Sequence, residues 1–191
     1  MAVRVVIAED EAVIRLDLKE ILEEEGYEVV GETGRGDEAV ELVRQHGPDL
    51  AILDIRMPGM DGLAAAREIT GERRAAVLIL TAFSQRNLIE EARDAGALAY
   101  LVKPFQTNEL IPAIEVALGR FAEMKALEQE NKNLEEQLET RRWVDRAKGI
   151  LMDGHRMSEA DAFRFIQQAA MRERQTMRVV AKRIVDGELN P

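Results

Sequence analysis

The stretch "DLAILDIRMPGMDG", residues 49–62, decides the fold of this chain. It opens with a short apolar run that ends at Asp54, and a loop containing Pro and Gly follows. Such a run indicates a strand buried on both faces, as in a parallel sheet covered by helices. Five runs of this kind occur along the first part of the chain, at residues 3–8, 27–32, 49–54, 76–81 and 97–102.

Amphipathic segments separate these runs and predict helices at about 12–25, 37–46, 61–71, 86–95 and from 107 onward. Strand and helix therefore alternate five times in about 120 residues. This alternation predicts an α/β domain with a five-stranded, doubly wound parallel sheet.

Polar side chains stand where the predicted strands end. Glu9 and Asp10 follow the first strand, Asp54 ends the third, Thr81 ends the fourth, and Lys103 follows the fifth. The carboxyl ends of such strands open into one crevice. Three carboxylates there repel one another unless a cation intervenes, and an all-oxygen ligand set suits Mg²⁺. Carboxylate nucleophile, divalent cation, hydroxyl and lysine together indicate a phosphoryl-transfer site.

Composition excludes several other classes of protein. The chain has no Cys, so it has neither a disulfide framework nor a thiolate metal site, and the cytoplasm is the expected compartment. No apolar run is long enough to cross a membrane. Residues 142–191 hold ten Lys and Arg against seven Asp and Glu, a balance of +3 that leaves −13 for residues 1–141. This asymmetry fits a polyanion-binding module, but charge alone favours the simpler interpretation of an ordinary solvated surface.

The segment that precedes the basic residues 142–191 is dense in helix-forming residues. Its apolar positions and one Asn recur at spacings of three and four, at Met124, Leu127, Asn131, Leu134 and Leu138. This spacing fits the a and d positions of a short coiled coil, and Asn at an a position favours a defined register in a parallel dimer. The alternative is a helix that packs against its own chain.

Three short helices are expected beyond Arg141. The first should end at Gly154, the second should begin with Ser158 and Asp161 as its N-terminal cap, and the third should run from Thr176 to Gly187. A small shared core is expected from residues of all three helices: Ile150, Leu151, Ala162, Phe163, Ile166, Ala169, Ala170, Val179, Val180 and Ile184.

The motifs "IAEDE", "LDIRMPGMDG", "LTA" and "LVKPF" together resemble the receiver domain of two-component response regulators, over residues 1 to about 120. The resemblance implies a flavodoxin-like fold, a sensor histidine kinase as partner, and Asp54 as the phosphoacceptor. It also implies Mg²⁺ bound by Asp10, Asp54 and the backbone carbonyl of Arg56, with Glu9 acting through water.

The same resemblance implies roles for other residues of the pocket. Thr81 and Lys103 would contact the phosphoryl group, Tyr100 would be the aromatic switch residue, and the Lys103-Pro104 bond would be cis. Asp61 is expected to cap the third helix, with Gly62 allowing close approach of the backbone.

The tail, with "AKGILM", "SEADAF" and "VVAKRIV", resembles the ANTAR domain, an RNA-binding antitermination module. The resemblance implies a homodimer that binds paired RNA stem-loops in leader transcripts. The candidate contacts are Arg142, Arg146, Lys148, Arg156, Arg164, Arg172 and Arg178. The expected domains are a receiver at 1–118, a helical linker at 119–141 and an RNA-binding domain at 142–191. DNA binding through a helix-turn-helix and a protein-interaction module remain alternative readings of the tail.

Overall fold

The computed structural model describes residues 2–82 and 84–190. The N-terminal part alternates strands and helices as the sequence predicts. Its elements are β1 (Arg4–Ala8), α1 (Ala12–Glu24), β2 (Glu28–Thr33), α2 (Gly36–His46), β3 (Leu50–Leu53), α3 (Gly62–Gly71), β4 (Ala76–Thr81), α4 (Arg86–Asp94) and β5 (Ala99–Val102). Each predicted run and helix is confirmed, with bounds that shift by one or two residues.

The five strands form one parallel sheet in the order β2-β1-β3-β4-β5. Alternate side chains of the central strands point to opposite faces, because the side-chain period of a strand is two. Val6, Leu53 and Val77 join one core cluster, whereas neighbouring residues such as Ile7 and Leu78 join the cluster on the other face. Both faces are thus buried, which explains the continuously apolar runs.

A single long helix, α5 (Thr107–His155), follows β5, and two shorter helices complete the chain: α6 (Glu159–Glu173) and α7 (Met177–Val185). The expectation of a separate helix beginning after Arg141 is wrong, because α5 continues through that point without a break. The last turns of α5 pack with α6 and α7 around their own core, so the bundle has three helices as predicted.

The chain divides into two compact units, Met1–Lys125 and Ala126–Pro191. The finer boundaries expected after residues 118 and 141 stay predictions. Among the residues that the structure describes, no helix is both long and apolar enough to cross a membrane.

Candidate functional site

Main-chain hydrogen bonds bring the strand ends of the first unit together. The Asp54 N–H donates to the Ala8 carbonyl (2.8 Å), and the Lys103 N–H donates to the Thr81 carbonyl (2.8 Å). Glu9, which follows Ala8, therefore lies beside Asp54. The parallel sheet gathers the polar residues at one edge, as its topology requires.

Three carboxylates form a cluster at this edge. Glu9, Asp10 and Asp54 each offer an oxygen atom, and these atoms all lie within 4.8 Å of one another. Glu9 and Asp54 are buried, with 1% and 7% of their surface exposed, whereas Asp10 is exposed. An oxygen-only donor set that is open to solvent on one side fits Mg²⁺, which keeps several of its waters.

Lys103 supplies the positive charge of the pocket. Its Nζ lies 2.5 Å from Glu9 Oε2 and 3.0 Å from Asp54 Oδ2, and its side chain is 8% exposed. Burial alone would lower the pKa of Lys103, but hydrogen bonds to the two carboxylates raise it above the ordinary value. Burial raises the pKa of Glu9, the repulsion from Asp54 adds to this, and Lys103 offsets part of the increase.

Thr81 is the last residue of β4, and Tyr100 lies on the neighbouring strand β5. Thr81 is fully buried, and its Oγ1 has no hydrogen-bond partner among residues 2–82 and 84–190. Tyr100 is half-buried and packs against the core on one face of the sheet. Burial raises the pKa of Tyr100, and the negative charge of Asp54 raises it further, as expected for a phenol near a carboxylate.

The loop after Asp54 depends on Asp61 and Gly62. Asp61 Oδ1 accepts a hydrogen bond from the Ala64 N–H (2.8 Å) and so caps α3, as predicted. The Gly62 N–H donates to the Ile55 carbonyl (2.8 Å), and a Cβ on Gly62 would lie 1.8 Å from the Asp54 carbonyl oxygen. The expected close approach at Gly62 is confirmed, and so is the cis Lys103-Pro104 bond.

Two supporting residues carry no sequence signal that identifies them. An Arg15 guanidinium nitrogen donates to the Glu9 carbonyl and so holds the backbone of the pocket. A Cβ on Gly36 would lie 2.1 Å from the Met60 carbonyl oxygen. Any side chain at this position would therefore collide with the backbone of the loop that follows Asp54. The first contact joins residues six apart and the second joins the first residue of α2 to that loop, and helical or strand periodicity encodes neither.

The seven predicted RNA-contact residues fall into two groups in the second unit. Arg142, Arg146 and Arg156 are exposed and make no ion pair among residues 2–82 and 84–190. The other four make ion pairs: Lys148 with Asp145 and Glu159 (2.8 Å each), Arg164 with Asp161 (3.3 Å), Arg172 with Glu173 (3.5 Å) and Arg178 with Glu139 (2.6 Å).

Lys148 differs from an ordinary surface lysine. Its side chain is 16% exposed, and its two partners lie on different helices, Asp145 on α5 and Glu159 at the start of α6. The hydrogen bond to Asp145 is the largest effect that raises the pKa of Lys148, and Glu159 adds to it. Lys148 therefore joins the two helices and keeps its charge.

The predicted core of this unit is largely confirmed. Leu151, Ala162, Ile166, Ala169, Ala170, Val180 and Ile184 are buried. Ile150, Phe163 and Val179 are 38%, 43% and 40% exposed, so placing them in the core is wrong. Each stands next in sequence to a buried residue, and one residue turns a helix by about 100°, so it lies at the margin of the buried face. The predicted cap at Ser158 is confirmed, and Thr176, where the third helix was expected to begin, caps α7.

A parallel α/β unit with an acidic pocket, a buried hydroxyl and a buried lysine defines a receiver domain. In agreement, a family model described as "Response regulator receiver domain" matches residues 5–115, and one described as "ANTAR domain" matches residues 132–185. The chain therefore belongs to the response regulators that join a receiver domain to an ANTAR domain.

Known proteins agree with this assignment. The chain is 60% identical over 183 residues to the transcriptional regulatory protein PdtaR of Mycobacterium tuberculosis, covering 96% of this chain and 89% of that protein. It is 40% identical over 120 residues to the chemotaxis protein CheY of Bacillus subtilis, covering 62% of this chain and 100% of CheY. The solved CheX-CheY-BeF₃-Mg²⁺ complex of Borrelia burgdorferi matches with a TM-score of 0.56 and 26% identity, over 59% of this chain and 86% of that one.

Proposed function

We propose that Asp54 accepts a phosphoryl group from the phosphohistidine of a sensor histidine kinase. We also propose that the C-terminal unit binds RNA hairpins in leader transcripts and so prevents terminator hairpins from forming. In this role the protein is a switch: it assists its own modification and turns over no external metabolite.

The observation that carries the first step is the placement of Lys103 against Asp54, with 3.0 Å between Nζ and Oδ2. A carboxylate oxygen of Asp54 forms the new O–P bond while the P–N bond to the kinase histidine breaks, and the product is an acyl phosphate. The Asp54 side chain is oriented for this step because its Oδ1 accepts a hydrogen bond from the Ile55 N–H (2.6 Å). Lys103 then pairs with an oxygen of the transferred group.

The pocket fits Mg²⁺ by the chemistry and spacing of its donors. Asp10, Asp54 and the carbonyl of Arg56 would hold the ion directly, and Glu9 would act through water. When bound, Mg²⁺ neutralises charge on the phosphoryl oxygens. The solved complex of the related CheY contains both Mg²⁺ and BeF₃, which supports the same chemistry here.

Thr81 and Tyr100 would convert phosphorylation into a change of shape. The buried Thr81 Oγ1 offers a hydroxyl donor with no other partner among the described residues, so a phosphoryl oxygen on Asp54 would attract it. An inward shift of Thr81 leaves room beside β4 and β5, which the half-buried ring of Tyr100 can occupy.

The output step rests on the ANTAR match and on exposed leucines of α5. Leu127, Leu134 and Leu138 are 61%, 50% and 57% exposed, and their spacing is that of a coiled-coil seam. We propose that two chains pair through this seam when Asp54 is phosphorylated. A dimer would then bind two linked stem-loops with the avidity of joined sites.

DNA recognition by α6 is disfavoured by the charges at its start. Glu159 and Asp161 are exposed in its first turn, where a recognition helix approaches the phosphates of a duplex. They already pair with Lys148 and Arg164, so the start of the helix carries no excess positive charge to attract those phosphates. RNA therefore remains the proposed ligand, and a protein partner is left as an outcome of the experiment.

The experiment compares RNA that co-purifies with the wild type and with Asp54→Ala, identified by sequencing. Leader transcripts with paired hairpins are expected in the wild-type sample and are expected to be depleted with Asp54→Ala. Asp17→Ala, which removes an exposed carboxylate on α1, is the matched control and should behave as wild type. Recovery of proteins without RNA would favour the interaction module, and equal affinity for matched duplex DNA would favour the DNA-binding reading.

Dimerisation has its own measurement. Light scattering with and without acetyl phosphate and Mg²⁺ should show a larger mass in the phosphorylated sample. A monomer under both conditions would contradict pairing through α5.

A further inference from the structure

Arg142 and Arg146 are the two exposed cations of the C-terminal unit that line a pocket together with its tryptophan. Neither makes an ion pair with any residue of the described ranges 2–82 and 84–190, whereas Lys148, Arg164 and Arg172 are each held by carboxylates. A guanidinium without a protein partner can bind a phosphate without first giving up an existing ion pair.

These two arginines share one face of α5, because residues four apart lie one above the other on a helix. Trp143 lies between them in sequence, and the three side chains line one shallow pocket together with Glu139. The negative charge of Glu139 is paired with Arg178 at 2.6 Å, so it opposes an incoming phosphate weakly.

Trp143 is well placed to serve as a stacking surface. It is half-buried and packs partly against the core of the three-helix bundle, while it also lines the open pocket. Packing on one side fixes the orientation of the indole and reduces the entropy lost when a base stacks on it. An aromatic ring between free cations is the arrangement that single-stranded nucleic acid recognises.

We propose that Arg142, Trp143 and Arg146, here called the Trp143 patch, form the RNA contact surface of this unit. An unpaired loop base stacks on the indole, and the two guanidiniums bind neighbouring phosphates. The patch selects loops over duplexes, because bases in a duplex are already stacked on one another. This inference rests on the proposed RNA function and assigns to it a surface and a class of ligand.

The patch also distinguishes the predicted residues that would contact RNA from those that stabilise the helical bundle. Lys148 is a positioning residue, since its charge is already used to join α5 to α6. Arg164 and Arg172 on α6 are paired with their own neighbours and lie outside the patch.

The first test uses the intrinsic fluorescence of the wild-type protein, because Trp143 is the single tryptophan of the chain. The probe is a two-hairpin RNA selected by wild-type protein from a pool with randomised loops, in the presence of acetyl phosphate and Mg²⁺. Titration should quench and shift the tryptophan emission in step with complex formation measured by filter binding. Binding without any change in emission would overturn the patch.

The second test compares affinity and its salt dependence among variants. Trp143→Leu, which keeps an apolar side chain against the core, should weaken binding about tenfold or more and leave the salt slope unchanged. Arg142→Ala combined with Arg146→Ala should lower the slope of log K against log salt by about 1.4, since each phosphate contact contributes about 0.7.

Arg164→Ala combined with Arg172→Ala is the matched control, because it makes the same change in charge on α6. It should bind within about twofold of wild type with an unchanged slope if the patch is correct. Circular dichroism verifies that each variant is folded, and the arginine variants affect exposed side chains alone.

The outcomes distinguish this inference from the proposed function. If the wild type selects no RNA from the pool, the proposed function and the patch both fail. If the wild type binds RNA but the α6 variant loses more affinity than the α5 variant, the patch alone is overturned.

Discussion

Replacing Lys103 with Met should destabilise the receiver unit more than any surface substitution, because two buried carboxylates would lose their counter-charge. Lys103 Nζ lies 2.5 Å from Glu9 and 3.0 Å from Asp54, and its side chain is 8% exposed. At an effective dielectric constant of about 20, a unit charge pair at this separation interacts by about 6 kcal/mol, much of it offset by desolvation. Removing one partner of such a buried pair costs about 3–5 kcal/mol, a large part of the stability of a small domain.

The assay is urea unfolding followed by circular dichroism, with and without Mg²⁺. Lys19→Met is the matched control, since Lys19 pairs with Glu32 at 3.3 Å on an exposed surface, and it should change the free energy of unfolding by less than about 1 kcal/mol. Mg²⁺ should stabilise Lys103→Met more than wild type, because the carboxylates have no other cation; at a concentration one hundred times its Kd the gain is about 2.7 kcal/mol. Equal stability of Lys103→Met and wild type without Mg²⁺ would refute this account of the pocket.

Three further substitutions test separate parts of the structure. The pKa of Glu9 is higher in the folded protein than the unfolded value of 4.5, so ionisation of Glu9 opposes folding. In urea unfolding, the free energy of unfolding of wild type relative to Glu9→Gln should be constant below pH 4.5 and should fall as the pH rises above 4.5. Gly62→Ala should destabilise the receiver unit by about 1–3 kcal/mol, because the new Cβ would lie 1.8 Å from the Asp54 carbonyl oxygen. Labelling of this variant by radioactive acetyl phosphate should decrease, and labelling equal to that of wild type would contradict the close packing. Lys148→Met should lower the melting temperature of the C-terminal unit by on the order of a few °C, while the salt slope of RNA binding stays as in wild type; a lowered slope would place Lys148 on the RNA.

The receiver pocket could be predicted because its chemistry follows from topology. Asp54, Thr81 and Lys103 each stand at a strand end, and a doubly wound sheet brings such ends together whatever the helices contain. The contacts of Arg15 and Gly36 could not be predicted, because each meets a residue that neither periodicity nor motif connects to it.

The tail was less predictable for a physical reason. A buried helical stripe is about 100° wide, so residues at its edge, such as Phe163, cannot be assigned from spacing alone. The sequence shows which residues are cationic but not which of them form ion pairs. It therefore could not distinguish Lys148, which pairs with Asp145 and Glu159, from Arg146. Helix-forming residues continue across Arg141, and the uninterrupted α5 follows from that propensity rather than from any domain boundary.

The continuity of α5 has a practical consequence for dissecting the protein. A fragment that begins at Arg142 would lack Glu139, and Arg178 on α7 would lose the ion pair that it makes with this carboxylate. Its new N-terminus would also leave the first four backbone N–H groups of the shortened helix, around Trp143, without their acceptors. A soluble output fragment should therefore start near Ala126, where the second compact unit begins, so that the preceding turns of the helix remain as its N-terminal support.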